Sequence, residues 1–248
     1  MLPSRAIRLA LLAALALLCA GAGPTPLAPR RHGGFDHYTF ALTWQPGFCL
    51  PHPCAKDQPH VGLGLHGLWA SRPPALVRQG KPPPYWWAHG CDVFHKSDAP
   101  PPIPAKLRRA VLHVMPHLPR SLLTHEYDKH VQCFGFDAAR FFETELKLRR
   151  QVARSAFGRH LAHLAGHRVR RQELVEAFQR AFHTPHPNAI QLRCEPDPAP
   201  GHGKVLTQLW LTIPAAKLAA FPRPEALMDA RQHQDDCPAT FRVPAWPR

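Results

Sequence analysis

Thr124–Cys133, THEYDKHVQC, packs two histidines, a glutamate, a lysine and a cysteine into ten residues. On an α-helix turning about 100° per residue, His125 and Lys129 share one stripe and Glu126 and His130 the next. Tyr127 and Asp128 point elsewhere. The buried face of a structural helix should be apolar. This face instead carries four groups that move protons or hold negative charge, and Cys133 follows as a tether.

Upstream, Val61-Gly62-Leu63-Gly64-Leu65-His66 is the cleanest alternation in the chain. As a strand it puts Val61, Leu63 and Leu65 on one face and Gly62, Gly64 and His66 on the other. Glycine inside a strand marks close approach of a ligand or another backbone, so the face beside His66 is expected to be open. Alone, His66 would read as a hydrogen-bonded core histidine. A second histidine motif makes it a candidate partner for the helix.

Outward from these two stretches, Phe35 to Thr43 alternates Tyr38, Phe40 and Leu42 with Thr39, Ala41 and Thr43 and predicts a strand. Residues 70–104 form a long Pro-rich excursion holding Tyr85, Trp86, Trp87 and Cys91, tied down by its cysteine. Pro104 to His113 predicts a helix. Asp137 caps another running to about Arg154, with Phe141, Phe142, Leu146 and Val152 inward. A further helix runs from Arg168 or Val169 to Phe182, burying Leu174, Val175, Phe178 and Phe182. Ala189–Cys194 and Lys204–Ile213 predict a hairpin around Glu195 to Gly203, with a last strand at Thr240 to Val243. Strands at both ends and helices between give an α+β class.

The 248 residues suit one large domain, and 30 prolines favour irregular loops. A formal charge of +14 with 18 neutral histidines favours polyanions without choosing among nucleic acid, lipid and acidic polysaccharide. Residues 1–22 read as a secretory signal peptide, with Arg5 and Arg8 before an apolar run from Leu9 to Leu18 and a small-residue Ala20-Gly21-Ala22 site. Its removal would take the formal charge from +14 to +12. Residues 23–34, rich in Pro and Gly, are expected to be a disordered lead-in to a domain over 35–248. No later stretch is long and apolar enough to cross a membrane, so no membrane association is expected. Cleavage would leave Cys49, Cys54, Cys91, Cys133, Cys194 and Cys237, an even set that reads as a disulfide framework in an exported protein. Spacing leaves the pairing open. The one Asn, Asn188, starts no glycosylation motif, which leans towards bacterial export.

Three chemistries compete for the helical face. A zinc helix wants histidines at i and i+4, whereas His125 and His130 are five apart, about 140° around the helix. An exposed Glu126–Lys129 pair would explain neither histidine. Acid–base catalysis on a phosphodiester explains them all. RNA brings its own 2′-OH nucleophile, so a metal-free enzyme needs a base, an acid and donors for the extra phosphorane charge. Histidine titrates near pH ~6.5 and serves as either acid or base.

LHGLWA (Leu65–Ala70) and THEYDKHVQC resemble the two active-site segments of the ribonuclease T2 family, and Leu42–Cys49 and Cys133–Asp137 resemble flanking segments of its bacterial periplasmic members. The resemblance covers about Phe35 to Val243. It implies a single T2-type domain with a central antiparallel sheet flanked by helices and three disulfides, Cys49–Cys54, Cys91–Cys133 and Cys194–Cys237. It also implies a periplasmic or secreted endoribonuclease of low base specificity that cleaves single-stranded RNA through 2′,3′-cyclic phosphates. No metal, cofactor or obligatory protein partner is implied, and a monomer is expected. His66 matches the general acid and His130 the base. Glu126 and Lys129 match the pair that stabilises the pentacoordinate state, and His125 the phosphate-binding histidine. Trp69 and Gln45 are the expected substrate-binding residues. Ala70 stands where proline is usual and Val131 where glycine is usual, which bears on rate and base preference more than on reaction type. The competing classes are an inactive polyanion-binding protein on the same fold and an exported zinc hydrolase.

Overall fold

A computed structural model of the chain describes residues 27–199, 201 and 203–247; the expected leader lies outside the described residues. In chain order the first elements are β1 (His37–Trp44), α1 (Gln45–Phe48), β2 (Leu63–Ala70), α2 (Pro74–Arg78), α3 (Pro83–His89), α4 (Ala105–Leu112) and α5 (Leu122–His130). They are followed by α6 (Ala138–Arg154), α7 (Ala156–His163), β3 (Arg168–Arg170), α8 (Arg171–Phe182), β4 (Ile190–Pro196), β5 (Lys204–Pro214) and β6 (Thr240–Arg242).

The alternation in β1 sets the two faces of the sheet. β1 lies between β2 and β5 and is antiparallel to both, and β4 closes the predicted hairpin on β5. Because side chains alternate with period two, register carries each face across the strands. Tyr38, Phe40 and Leu42 align with Ile213, Leu211 and Leu209, and these with Ile190 and Leu192. All are buried. The opposite face carries Thr39, Ala41 and Thr43, then Thr212, Trp210 and Gln208, then Gln191 and Arg193. The expected α+β class holds. The sheet is antiparallel except where β6 meets β5 at Val205 and Arg242 in parallel sense.

The long helices form where periodicity predicts them. Asp137 caps α6 by accepting from the Arg140 amide at 2.9 Å, and Phe141, Phe142, Leu146 and Val152 are buried. In α8 the predicted Leu174, Val175, Phe178 and Phe182 are buried, but the helix begins at Arg171. The residues before it, Arg168–Arg170, pair with β6 as strand β3. Helix α7, which the sequence reading omits, starts at Ser155, whose side chain accepts from the Gly158 amide.

Two expectations need correction. Residues 27–34 are not a disordered lead-in: Leu27 is buried in the core, and the Arg30 and Arg31 amides both donate to the Phe134 carbonyl. A Pro/Gly-rich composition gives no packing signal, yet the buried leucine, the two amides on Phe134, an Arg31 guanidinium bond to the Gln132 carbonyl and His32 stacked on Phe94 seat it. Nor is 70–104 a structureless loop, since α2 and α3 form there, each with Pro in its first turn, where a missing N–H costs nothing. The three disulfides pair as the resemblance implies, and Cys91–Cys133 joins the segment after α3 to the segment after α5.

Candidate active site

The site begins with an irregularity in β2. Register runs from Tyr38↔Ala70 to Ala41↔Gly67 and then resumes at Leu42↔Leu65, so His66 has no partner on β1. It is the extra residue of a β-bulge, a device that redirects a side chain. The bulge lets Leu65 and Leu68, three apart, both bury in the core. His66 takes the polar face, where Thr43 Oγ1 lies 3.3 Å from its Nδ1. Its Nε2 is 3.5 Å from Glu126 Oε1.

The rest of the HGLW segment serves Glu126. A Cβ at Gly67 would sit 2.0 Å from Glu126 Oε2, so only glycine lets the carboxyl reach the strand. Trp69 Nε1 donates to that same oxygen at 2.6 Å. From the helical side, Ser121 caps α5 by accepting from the Thr124 amide. The helix then delivers His125, Glu126, Lys129 and His130 into one cleft with His66 and Trp69, of about 470 Å³. The Trp69 ring lies 5.2 Å from His130 and 5.2 Å, edge-on, from Trp210.

Burial dominates the electrostatics. Glu126 is 2% exposed, and burial pushes its carboxyl up to about 8 against the opposing pull of the Trp69 hydrogen bond and of Lys129. Burial pushes the His66 imidazole down to about 3, helped by His125 and His52. His130 is held well below its ordinary value by burial, then by Lys129, His125 and His66. His125 is also lowered, by burial first and then by Lys129 and Arg120, against Asp92. Although 3.5 Å would admit an ion pair, the opposite shifts favour a neutral imidazole beside a protonated acid over the ion pair. Behind β2, fully buried Glu145 is likewise held well above its ordinary range by burial and by Glu126.

Every expected catalytic residue therefore lines one cleft, and Trp69 borders it while orienting Glu126. Gln45 does not. It is 1% exposed, and its Nε2 donates to the Val114 carbonyl at 2.9 Å. Its amide fills the space that Gly64 leaves, where a Cβ would lie 2.6 Å from Nε2. Gly62 is likewise covered, by the Trp44 ring, so the glycines before His66 admit protein groups rather than a ligand. The departures from the family pattern are structural. Ala70 ends β2 opposite Tyr38 with its carbonyl turned away from β1 to accept from Trp86 Nε1, and buried Val131 caps α5 at φ −124°, which needs no glycine.

The five-residue spacing does not keep His125 and His130 apart in space. Potential ligand atoms of His125, Glu126 and His130 lie within 4.8 Å of one another, because side-chain torsions close the gap the backbone opens. Sequence reading missed Thr43, Arg72, Gln191, Trp210, Thr212 and Arg231. Thr43 was within reach, since it shares a strand face with Thr39 and Ala41. The others come together only through the sheet and the tail.

Comparisons with known proteins agree with this geometry. The model of the Ribonuclease T2 family matches residues 35–223. Ribonuclease I of Escherichia coli (strain K12) is 29% identical over 261 residues, spanning 94% of this chain and 95% of that protein. The self-incompatibility associated SF11-RNase of Nicotiana alata superimposes with a TM-score of 0.59, covering 85% of this chain and 98% of that one at 15% identity. RNase NT in complex with 5′-AMP gives 0.57, covering 86% and 99% at 17% identity. With the family model spanning most of the chain, and its fold and cleft in place, the protein belongs to the ribonuclease T2 family and is an endoribonuclease.

Proposed function

We propose that the protein cleaves single-stranded RNA with low base specificity and without metal, by transphosphorylation to 2′,3′-cyclic ends. The observation that carries this reading is the convergence of His66, His125, Glu126, Lys129 and His130 on one cleft. Neutral His130 takes the 2′-OH proton as base, and the 2′ oxygen attacks phosphorus. The proton for the departing 5′ oxygen resides on Glu126 in the free site, 3.5 Å from His66 Nε2. Phosphate binding brings negative charge beside His66 and raises its basicity, so Glu126 and His66 act as one proton-donating unit. The Lys129 ammonium and His125 hold the phosphate oxygens as charge grows. The mononucleotide in the RNase NT complex supports a nucleotide-sized pocket here.

Export to the periplasm or medium is part of the proposal. It rests on the leader-like residues 1–22 and on six cysteines all joined as disulfides, an arrangement of oxidising compartments. Among the described residues no helix is long and apolar enough to cross a membrane.

The test is incubation of the mature protein with RNA in excess EDTA. Sustained release of 2′,3′-cyclic ends is expected, whereas binding without cleavage, or cleavage abolished by chelator, refutes the reading. His66→Ala and His130→Ala should each lower the rate by at least ~10²-fold.

A further inference from the structure

The tryptophans divide five to one. Indole N–H groups of Trp44, Trp69, Trp86, Trp210 and Trp246 donate to Pro244 O, Glu126 Oε2, Ala70 O, Gln208 Oε1 and Val61 O. The remaining one, Trp87, has no hydrogen-bond or ring partner among the described residues. It is 39% exposed, and nearby Val77 is 49% exposed. Both line the cleft that holds His66, His125, Lys129 and His130. Leaving a tryptophan uncovered forgoes a large burial gain, so its position on a catalytic lip calls for an occupant.

The mount beneath Trp87 is rigid. Neighbouring Trp86 is buried and bonded to the Ala70 carbonyl at the end of β2. Gly90, at φ +52°, packs so tightly that a Cβ would lie 2.2 Å from the Lys129 carbonyl oxygen. The next residue, Cys91, is joined to Cys133 just beyond α5. Helix α3 is thus fastened to both catalytic segments, which fixes the Trp87 backbone relative to Lys129 and His66.

We propose that Trp87 is a stacking platform for one unpaired RNA base next to the scissile phosphate, with Val77 covering the base edge. This rests on the ribonuclease reading and adds a substrate-binding residue to it. Charge favours that occupant: Arg72 and Lys129 line the same cleft, Asp36 there is paired with Arg231, and Glu126 is protonated. Aromatic stacking accepts any base, consistent with low specificity. A protein partner is disfavoured because two side chains inside a concave cleft are far below the area of a stable interface.

The experiment compares wild type, Trp87→Ala and Trp87→Phe for binding a short 2′-O-methyl oligonucleotide, which lacks the free 2′-OH and cannot be cleaved. Trp87→Ala should raise Kd by about 5- to 150-fold and Trp87→Phe by much less. On wild type, making one nucleotide of the oligonucleotide abasic should reproduce the loss, and combining that abasic strand with Trp87→Ala should add little. Equal binding by Trp87→Ala, or a full extra loss on every abasic strand, overturns the proposal. Because the abasic series uses wild type, a misfolded variant does not protect the idea. Cleavage of unmodified RNA is measured in parallel; its absence in wild type would sink the ribonuclease reading, while the stacking result stands on binding alone.

Discussion

Gly67→Ala should disable the enzyme through one methyl group. The added Cβ would lie 2.0 Å from Glu126 Oε2 and 2.7 Å from Trp69 Nε1, where ordinary contact begins at 3.4 Å. The carboxyl must therefore retreat by about 1.4 Å, stretching the 2.6 Å bond from Trp69 to about 4 Å, beyond hydrogen-bonding range. Backbone of β2 cannot yield instead without breaking its ladder to β1. A buried acceptor that loses its donor costs about 1–3 kcal/mol of stability. Misplacing a catalytic group by about 1 Å costs on the order of 10²-fold in rate. Urea denaturation should show the first and single-turnover cleavage of an RNA oligonucleotide the second. A variant that keeps kcat within about threefold would refute the claim that Gly67 exists to admit Glu126.

Acid should destabilise the fold through His66. Its proton is held more tightly in the unfolded chain (6.5) than in the folded one (about 3), so stability is lost as pH falls across that window, and replacing His66 by Gln should flatten urea midpoints there. Glu126 has the opposite sign. Its folded value of about 8 exceeds the unfolded 4.5, so its contribution is full below 4.5 and lost as pH rises towards 8. Glu126→Gln should gain stability relative to wild type across that rise while losing most activity; a constant difference with pH would contradict the assignment. Opening the 91–133 bridge with Cys91→Ser and Cys133→Ser together should cost about 2–5 kcal/mol and raise KM, because it frees the lip that carries Trp87. An unchanged KM would show that Gly90 packing alone holds the lip.

Periodicity made the framework legible. β1, the hairpin of β4 and β5, α6 and α8 each bury one face, and the faces are written at period two or near 3.6. Short elements were harder to read. α2 and α3 hide in proline, α7 is thick with His and Arg, and β3 has no signal of its own because β6, seventy residues on, creates it. In the site, side-chain chemistry pointed to His66, His125, Glu126, Lys129 and His130, whereas Gln45 was misplaced because its niche depends on Gly64. A clue to the bulge was present: Leu65 and Leu68 cannot share a face of a regular strand, yet both are leucines, on either side of His66-Gly67.

That clue has an evolutionary side. A chain lacking residue 66 would pair β1 with β2 without interruption, from Tyr38 to Trp44, and keep its leucines inward. The sheet would be more regular without His66, the proton donor proposed above, than with it. Under that proposal, loss of cleavage is a single in-frame codon deletion away, because the pairing of β1 with β2 gives no reason of its own to keep residue 66.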